Sequence, residues 1–403
     1  MIEAAVVEKG FSPEPLETAA AAPWLAALRR AAFARFEELG FPTPHDEDWR
    51  STGVQPITGT PWIRAPRDPE FRFLPTAGVR VRPLSQALAE AEPQLARIAG
   101  FSHDAFTALN TASFEDAAVL EILPGAVVSQ PIEIVLRSPD AGRPEVRHPR
   151  VLILAGERSQ ASIVQTFTGE GRSFTNAVTE IALGPGAILE HTLLQRESVA
   201  ACHVHTLAAR QARDSRFTSH NVSLGAALAR TNLHVALEAE GAECALYGLF
   251  VGRGSQHLDT HTTIDHASPR CVSRELYKGI LDGAARGVFH GKILVRKDAQ
   301  KTDAVQTNRN LLLSRHALVN STPALEILAD DVKCKHGSTT GQLDALALFY
   351  LRSRGIGEDA ARALLTWAFA ADVAERIPVP SVRAEVEREL GRLLPGAPIE
   401  VSA

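Results

Sequence analysis

The chain has 403 residues, 45% hydrophobic and 22% charged, with 42 Lys+Arg against 47 Asp+Glu for a net charge of -5. That balance is ordinary for a soluble globular protein and excludes collagen, coiled coil and disorder throughout. Mild acidity without a long basic run also argues against a phosphate-tracking nucleic-acid surface.

At about 150 residues per domain the length suggests two or three folding units. The opening residues, MIEAAVVEKGFSPEP, lack the basic-then-apolar order of a signal peptide. No stretch approaches the roughly 18 uninterrupted apolar residues of a membrane helix. A soluble, cytoplasmic protein without membrane contact is expected.

Three zones follow in chain order. Residues 1–105 read as an N-terminal helical region punctuated by proline. Leu25, Leu28, Ala32, Phe36 and Leu39 recur at helical spacing, Gly40 sits at the C-terminal cap, and Pro42 and Pro44 prevent continuation. A second helix is expected across PLSQALAEAEPQLARIAG, broken or restarted at Pro93.

Residues 106–340 read as one long β domain. Runs such as VLEIL, IEIVL, VLILAG and ASIVQTF alternate apolar and polar residues with a period of two, and Gly- and Pro-containing corners separate them. No amphipathic helix lies between the strands, which excludes a βαβ architecture. A sandwich or barrel would accommodate such strands. A parallel β-helix fits better, because corners recur at short intervals and no Asn-Gly or Asp-Gly hairpin signal dominates.

Residues 341–403 turn helical again. Leu343, Leu346, Ala347 and Tyr350 share one face of a helix ending at Gly355. Ala361, Leu364, Leu365, Ala368, Phe369, Val373 and Ile377 repeat the pattern. SVRAEVERELGRLL forms a third helix, and the tail from Pro395 is expected to fray. RSRGIGEDAARALL reads as an αα-hairpin in a docking domain rather than as a DNA-binding element.

Chemistry-bearing residues are uneven. Of 14 histidines, 11 lie between His191 and His336. His203 and His205 share a strand face, as do His257, Asp259 and His261, and either set could chelate a divalent metal. The plainer reading is polar residues on solvated strand faces. The four cysteines are too scattered for a disulfide scaffold, and none forms a C-x-x-C pair. Cys202 and Cys244 read as buried small hydrophobes and Cys271 as a partly exposed corner. Cys334 lies between Lys333 and Lys335 with His336 two residues on. Flanking ammonium groups favour thiolate, and an extended segment would point Cys334 and His336 the same way. The plainer reading there is a charged surface loop. Neither a P-loop, a G-x-S-x-G elbow nor an H-E-x-x-H motif occurs, and GRGSQ (252–256) reads as a corner.

Two segments carry a resemblance. GFPTPHDEDWRSTGVQPI (41–58) resembles the N-terminal signature of SufD-type chains. NRNLLLSRHALVNSTPALEILADDVKCKHGSTTGQLDALALFYLRSRGI (308–356) resembles the C-terminal signature of the SufB/SufD family, scaffold components of the SUF iron–sulfur cluster assembly system. The chain has no cysteine before Cys202, which favours the SufD-type branch over the cysteine-richer SufB type.

The resemblance implies a mainly β fold, a right-handed parallel β-helix flanked by N- and C-terminal helices, and no enzyme activity. It implies a SufB-like partner through the β-helix and a SufC-like ATPase on helices at about 342–377. By motif it assigns Cys334 and His336 to a nascent cluster shared with the SufB-like partner. Lys335 stands between them where the family commonly has a smaller residue. Docking would fall to Leu343, Leu346, Tyr350, Leu351, Leu364, Leu365 and Phe369. No cofactor is expected to stay on the isolated chain. A transient Fe–S cluster is expected in the complex, while flavin there and a homodimer in isolation stay open. The competing reading is a metal-dependent β-helix or cupin-like enzyme using the His257/Asp259/His261 face.

Overall fold

The computed structural model describes residues 22–65 and 76–393. The readings made for MIEAAVVEKGFSPEP and for the tail from Pro395 lie outside the described residues. Among the described residues four α-helices and two strands come first: α1 (Pro23–Leu39), α2 (Gln55–Thr58), β1 (Ile63–Arg64), β2 (Val79–Pro83), α3 (Leu88–Ala91) and α4 (Ala105–Ser113). In α1 the buried stripe is Leu25, Arg29, Ala32 and Phe36, and the Gly40 N–H closes the helix on the Phe36 carbonyl at positive φ. The helix expected across residues 83–100 shrinks to a 3-10 turn at Leu84–Gln86 and the single turn of α3. Beyond Pro93 the N–H groups of Ala96, Ile98 and Ala99 donate to the buried Glu180 carboxylate instead of to helical carbonyls.

Seventeen strands then form the body: β3 (Ala117–Ile122), β4 (Ile132–Ser138), β5 (Glu145–Arg147), β6 (Arg150–Ala155), β7 (Gln160–Gly169), β8 (Ser173–Leu183), β9 (Ile188–Arg196), β10 (Cys202–Gln211), β11 (Arg216–Ser223), β12 (Leu228–Leu237), β13 (Glu243–Gly252), β14 (His257–His266), β15 (Val272–Leu281), β16 (Arg286–Val295), β17 (Asp303–Leu312), β18 (Leu318–Ile327) and β19 (Lys333–Gly341). One sheet runs β18-β16-β14-β12-β10-β8-β6-β3-β2 and the other β19-β17-β15-β13-β11-β9-β7-β4. Neighbours pair in parallel, apart from the antiparallel β2 on β3. The result is a parallel β-solenoid of about 8 turns, mainly β at 43% strand against 22% helix. The sandwich and barrel readings fall away because consecutive strands change sheet instead of forming hairpins.

Corner chemistry sets the coil. A residue with positive φ recurs at Gly125, Arg158, Gly186, Asp214, Gly241, Arg270 and Lys301. At Arg158, Gly186, Asp214, Arg270 and Lys301 the N–H donates to a carbonyl of the following turn, at Pro185, Arg213, Glu240, Gln300 and Asp331. Corners therefore stack on corners, and backbone hydrogen bonding continues around the bend. Between the sheets, Ile, Leu, Val and Phe side chains such as Ile163, Ile181, Leu207, Leu233, Ile264 and Phe289 form the main core. Gly248 sits beneath the Tyr277 ring, where a Cβ would come within 1.9 Å of it.

Helical regions cover outer faces of the solenoid. Trp49, Ile57, Trp62 and Phe106 pack on Phe174, Cys202, Val204 and Leu228 of one sheet. On the other, α6 (Glu358–Ala374), α7 (Pro380–Leu393) and the turn between them, which follow α5 (Ala345–Ser353), press Val373, Ile377, Val382 and Leu390 onto Leu194, Val222, Leu249 and Ile280. Each such side chain fully buried contributes about 1.5–3 kcal/mol. Among the described residues no helix is long and apolar enough to cross a membrane.

Candidate functional site

The solenoid ends on β18 and β19, and among the described residues no strand pairs beyond them. Their inward faces therefore lie open. Strand alternation turns Cys334, His336 and Ser338 to that face. Cys334 packs with Ile293, Val295, Ala304 and Leu325. The Ser338 hydroxyl lies 2.7 Å from that of Ser321, which donates to Asn308. His336 stands between them, exposed, above Gln306 in register.

The expected sharing of a face by Cys334 and His336 thus follows from the strand. The expected thiolate does not. Lys333 and Lys335 occupy the opposite alternation, while partial burial and the nearby Asp303 push the Cys334 thiol up. That is a correction: neighbours in sequence on a strand point apart, so the ammonium groups do not reach the sulfur. One sulfur and one imidazole on an open end make two donors of the four that a tetrahedral metal or cluster iron requires.

Beneath His336 a polar column enters the core. Gln306 donates to Glu275 across 2.7 Å. Burial pushes the Glu275 carboxyl up to about 7, partly opposed by the nearby Thr262 hydroxyl and by the hydrogen bond from Gln306.

The chain leaves β19 at Gly341 and re-enters regular structure at α5, capped by Asp344 accepting from Leu346 N–H. No residue of α5 is buried. Leu346 is 78% exposed, Phe349 71% and Tyr350 56%. Leu343 and Leu351 are half-buried, as are Leu364 and Leu365 on α6. Phe369 instead turns to the solenoid, where the Lys278 ammonium lies 4.5 Å from its ring centre and pairs with Asp372 at 2.8 Å. Phe349 escaped the sequence reading although the i, i+3 spacing from Leu346 places it on the same stripe.

A family model described as the SufBD core domain of the SUF system for FeS cluster assembly matches residues 137–369. A SufBD family protein of Mycobacterium tuberculosis, named for iron-sulfur cluster assembly, is 32% identical over 389 residues, 92% of this chain and 95% of that protein. Another, from Synechocystis sp., is 36% identical over 313 residues, 74% of this chain and 69% of its own length. The iron-sulfur cluster assembly protein SufD of Escherichia coli is 36% identical over 251 residues, 62% of this chain and 59% of SufD. The chain belongs to the SufB/SufD family.

For a SufB/SufD family protein, the other histidines need a separate account. His257, Asp259 and His261 do share one face of β14, but they do not converge as three ligands. Asp259 Oδ2 is spent on Arg230 at 2.8 Å and on Thr52 at 2.6 Å, its Oδ1 lies 3.1 Å from His261 Nε2, and His257 bonds Thr52 at 2.9 Å. Burial would raise the Asp259 carboxyl, yet Arg230 and His261 hold it well below the usual range. Among the described residues, the trio whose ligand atoms approach one another is Asp48, His261 and His290. No spacing rule finds Asp48, because it arrives from the N-terminal region.

His203 and His205 lie inside the solenoid against Phe167, not on a solvated face. His203 Nδ1 sits 2.7 Å from the wholly buried Glu197. Cys202 and Cys244 are buried, as expected. Cys271 is a correction: at 0% exposure it is sealed inside its corner, with its thiol hydrogen-bonded toward the Ala239 and Pro269 carbonyls.

Proposed function

We propose that this chain is the non-catalytic SufD-type scaffold subunit of a SUF assembly, working in the cytoplasm. Its open terminal coil joins a SufB-type subunit, and Cys334 and His336 form one edge of a shared site where a nascent Fe–S cluster is built. A SufC-type ATPase docks on α5 and the start of α6. The observation that carries this reading is the uncapped end of the solenoid. Two soft-to-borderline donors stand there on β19, whose outer edge pairs with no strand among the described residues, and exposed strand edges recruit another chain.

The isolated chain supplies too few donors to retain a cluster, so the cluster is transient and belongs to the complex. Flavin has no assigned place in this subunit. Only three residues separate Gly341 from Ala345. Movement of the ATPase on α5 would therefore reach the Cys334/His336 strand over a short covalent path. The test is anaerobic reconstitution on the co-expressed three-subunit complex. His336→Ala should lower cluster loading while leaving assembly of the complex intact. Unchanged loading would refute the assignment.

A further inference from the structure

We propose that Asp48, His261 and His290 bind one divalent transition-metal ion that clasps an N-terminal strap to the outer face of the solenoid, independently of the terminal-coil site. The strap is the DEDWRST stretch, residues 46–52. It crosses four strands in succession. The Arg230 guanidinium of β12 stacks 3.9 Å from the Trp49 ring centre and donates to the Asp48 carbonyl. Thr52 donates to Asp259 of β14, Asp48 faces His290 of β16, and Ser51 accepts from Asn320 of β18. His261 and His290 are register partners on adjacent strands, so their rings are brought together by the sheet itself.

The donor geometry suits a metal. His261 Nδ1 and His290 Nδ1 lie 3.3 Å apart. Two nitrogens about 2.0–2.1 Å from a tetrahedral zinc are separated by about 3.3–3.4 Å. Asp48 Oδ1 is 4.0 Å from His290 Nδ1, and its side chain is 69% exposed and free to close the remaining gap. His261 is also prepared from behind. Its Nε2 lies 3.1 Å from Asp259 Oδ1, and with the proton held on that side Nδ1 presents its lone pair toward His290. Arg230 and Thr52 in turn fix Asp259. A carboxylate behind an imidazole is the usual support of a metal-binding histidine. Two imidazoles and one carboxylate select a borderline ion of the Fe²⁺-to-Zn²⁺ class over Ca²⁺ or Mg²⁺. The partly exposed rim leaves the fourth position to water.

Zn²⁺ titration by calorimetry of the full chain carrying Cys334→Ser and His336→Ala tests this with the terminal-coil donors removed. One equivalent should bind. Asp48→Asn should weaken it more than about ten-fold, and His290→Gln should abolish it. The Co²⁺ form should show d–d bands without thiolate charge transfer. Zn²⁺ should also slow proteolysis within residues 46–52 in the parent and not in Asp48→Asn. Absence of a bound equivalent, parent-like affinity in Asp48→Asn, or a thiolate band would each overturn the proposal. Because Asp48 is a surface residue, its variant keeps the test valid even where His290→Gln misfolds. The parent already lacks His336, so failure of the cluster assignment leaves this result unaffected.

Discussion

Gln306 donates a 2.7 Å hydrogen bond to Glu275 inside the solenoid, and His336 continues the same column on the next strand. Gly291 makes the space: a Cβ there would come within 2.2 Å of the Gln306 amide nitrogen. The column places a carboxyl raised by burial to about 7 two strands below the open end. Between pH 4.5, its ordinary value, and about 7, the folded chain keeps a proton that the unfolded chain has released. Stability from this group is therefore complete below that window and is lost as pH rises through it. Glu275→Gln is expected to remove the slope and add up to about 3 kcal/mol at alkaline pH. Urea unfolding on both sides of the window checks it, and an unchanged slope would contradict the burial argument.

Buried histidines act in the opposite direction. Burial, then His220, lowers the His191 imidazole to about 3, and burial, then Arg64, does the same for His148. The unfolded chain takes up protons below 6.5 that the folded chain refuses until about 3, so stability is lost as pH falls through that range. His191→Gln preserves a donor toward Gln165, which His191 Nε2 now contacts at 3.1 Å. Its acid-unfolding midpoint, followed by tryptophan fluorescence, should move to lower pH. A midpoint that stays in place would mean His191 is not a source of acid lability.

Arg150 and Glu180 form a wholly buried pair at 2.6 Å. Arg150 also donates to Asn110 and Thr111 of α4, and Glu180 accepts the three N–H groups of residues 96–99 described above. The pair thus joins the N-terminal region to β6 and β8. Arg150→Met strands the Glu180 charge and should cost about 3–5 kcal/mol. Denaturant titration measures it; a loss below about 1 kcal/mol would show that water reaches Glu180.

The stripe of Leu346, Phe349 and Tyr350 bears no weight in the isolated fold. Leu346→Gln with Phe349→Gln should leave stability within about 0.5 kcal/mol of the parent. If the stripe docks the ATPase, the same change should weaken that complex by about 100-fold or more, since buried apolar anchors carry about 2 kcal/mol each. Calorimetric titration of the two purified proteins decides it, and parent-like affinity would move the docking surface elsewhere.

Local chemistry already specified much of this protein. Period-two alternation with punctuating corners was enough for a parallel solenoid, because each strand must bury one face and each corner must turn. Spacing of two residues was enough to turn Cys334 and His336 together. Helical stripes at 345–374 were legible for the same reason. Three things needed the tertiary structure. Alternation is symmetric, so it could not say that His203 and His205 face the core while His257 and His261 face outward; only the stacking of coils decides which side closes. Proximity in sequence suggested ammonium groups around Cys334, but the pleat turns Lys333 and Lys335 away and leaves the sulfur against apolar neighbours. Asp48 meets His261 and His290 across more than 200 residues of chain, a contact created when Trp49 anchors beneath Arg230 and lays the strap across strands whose register the solenoid sets.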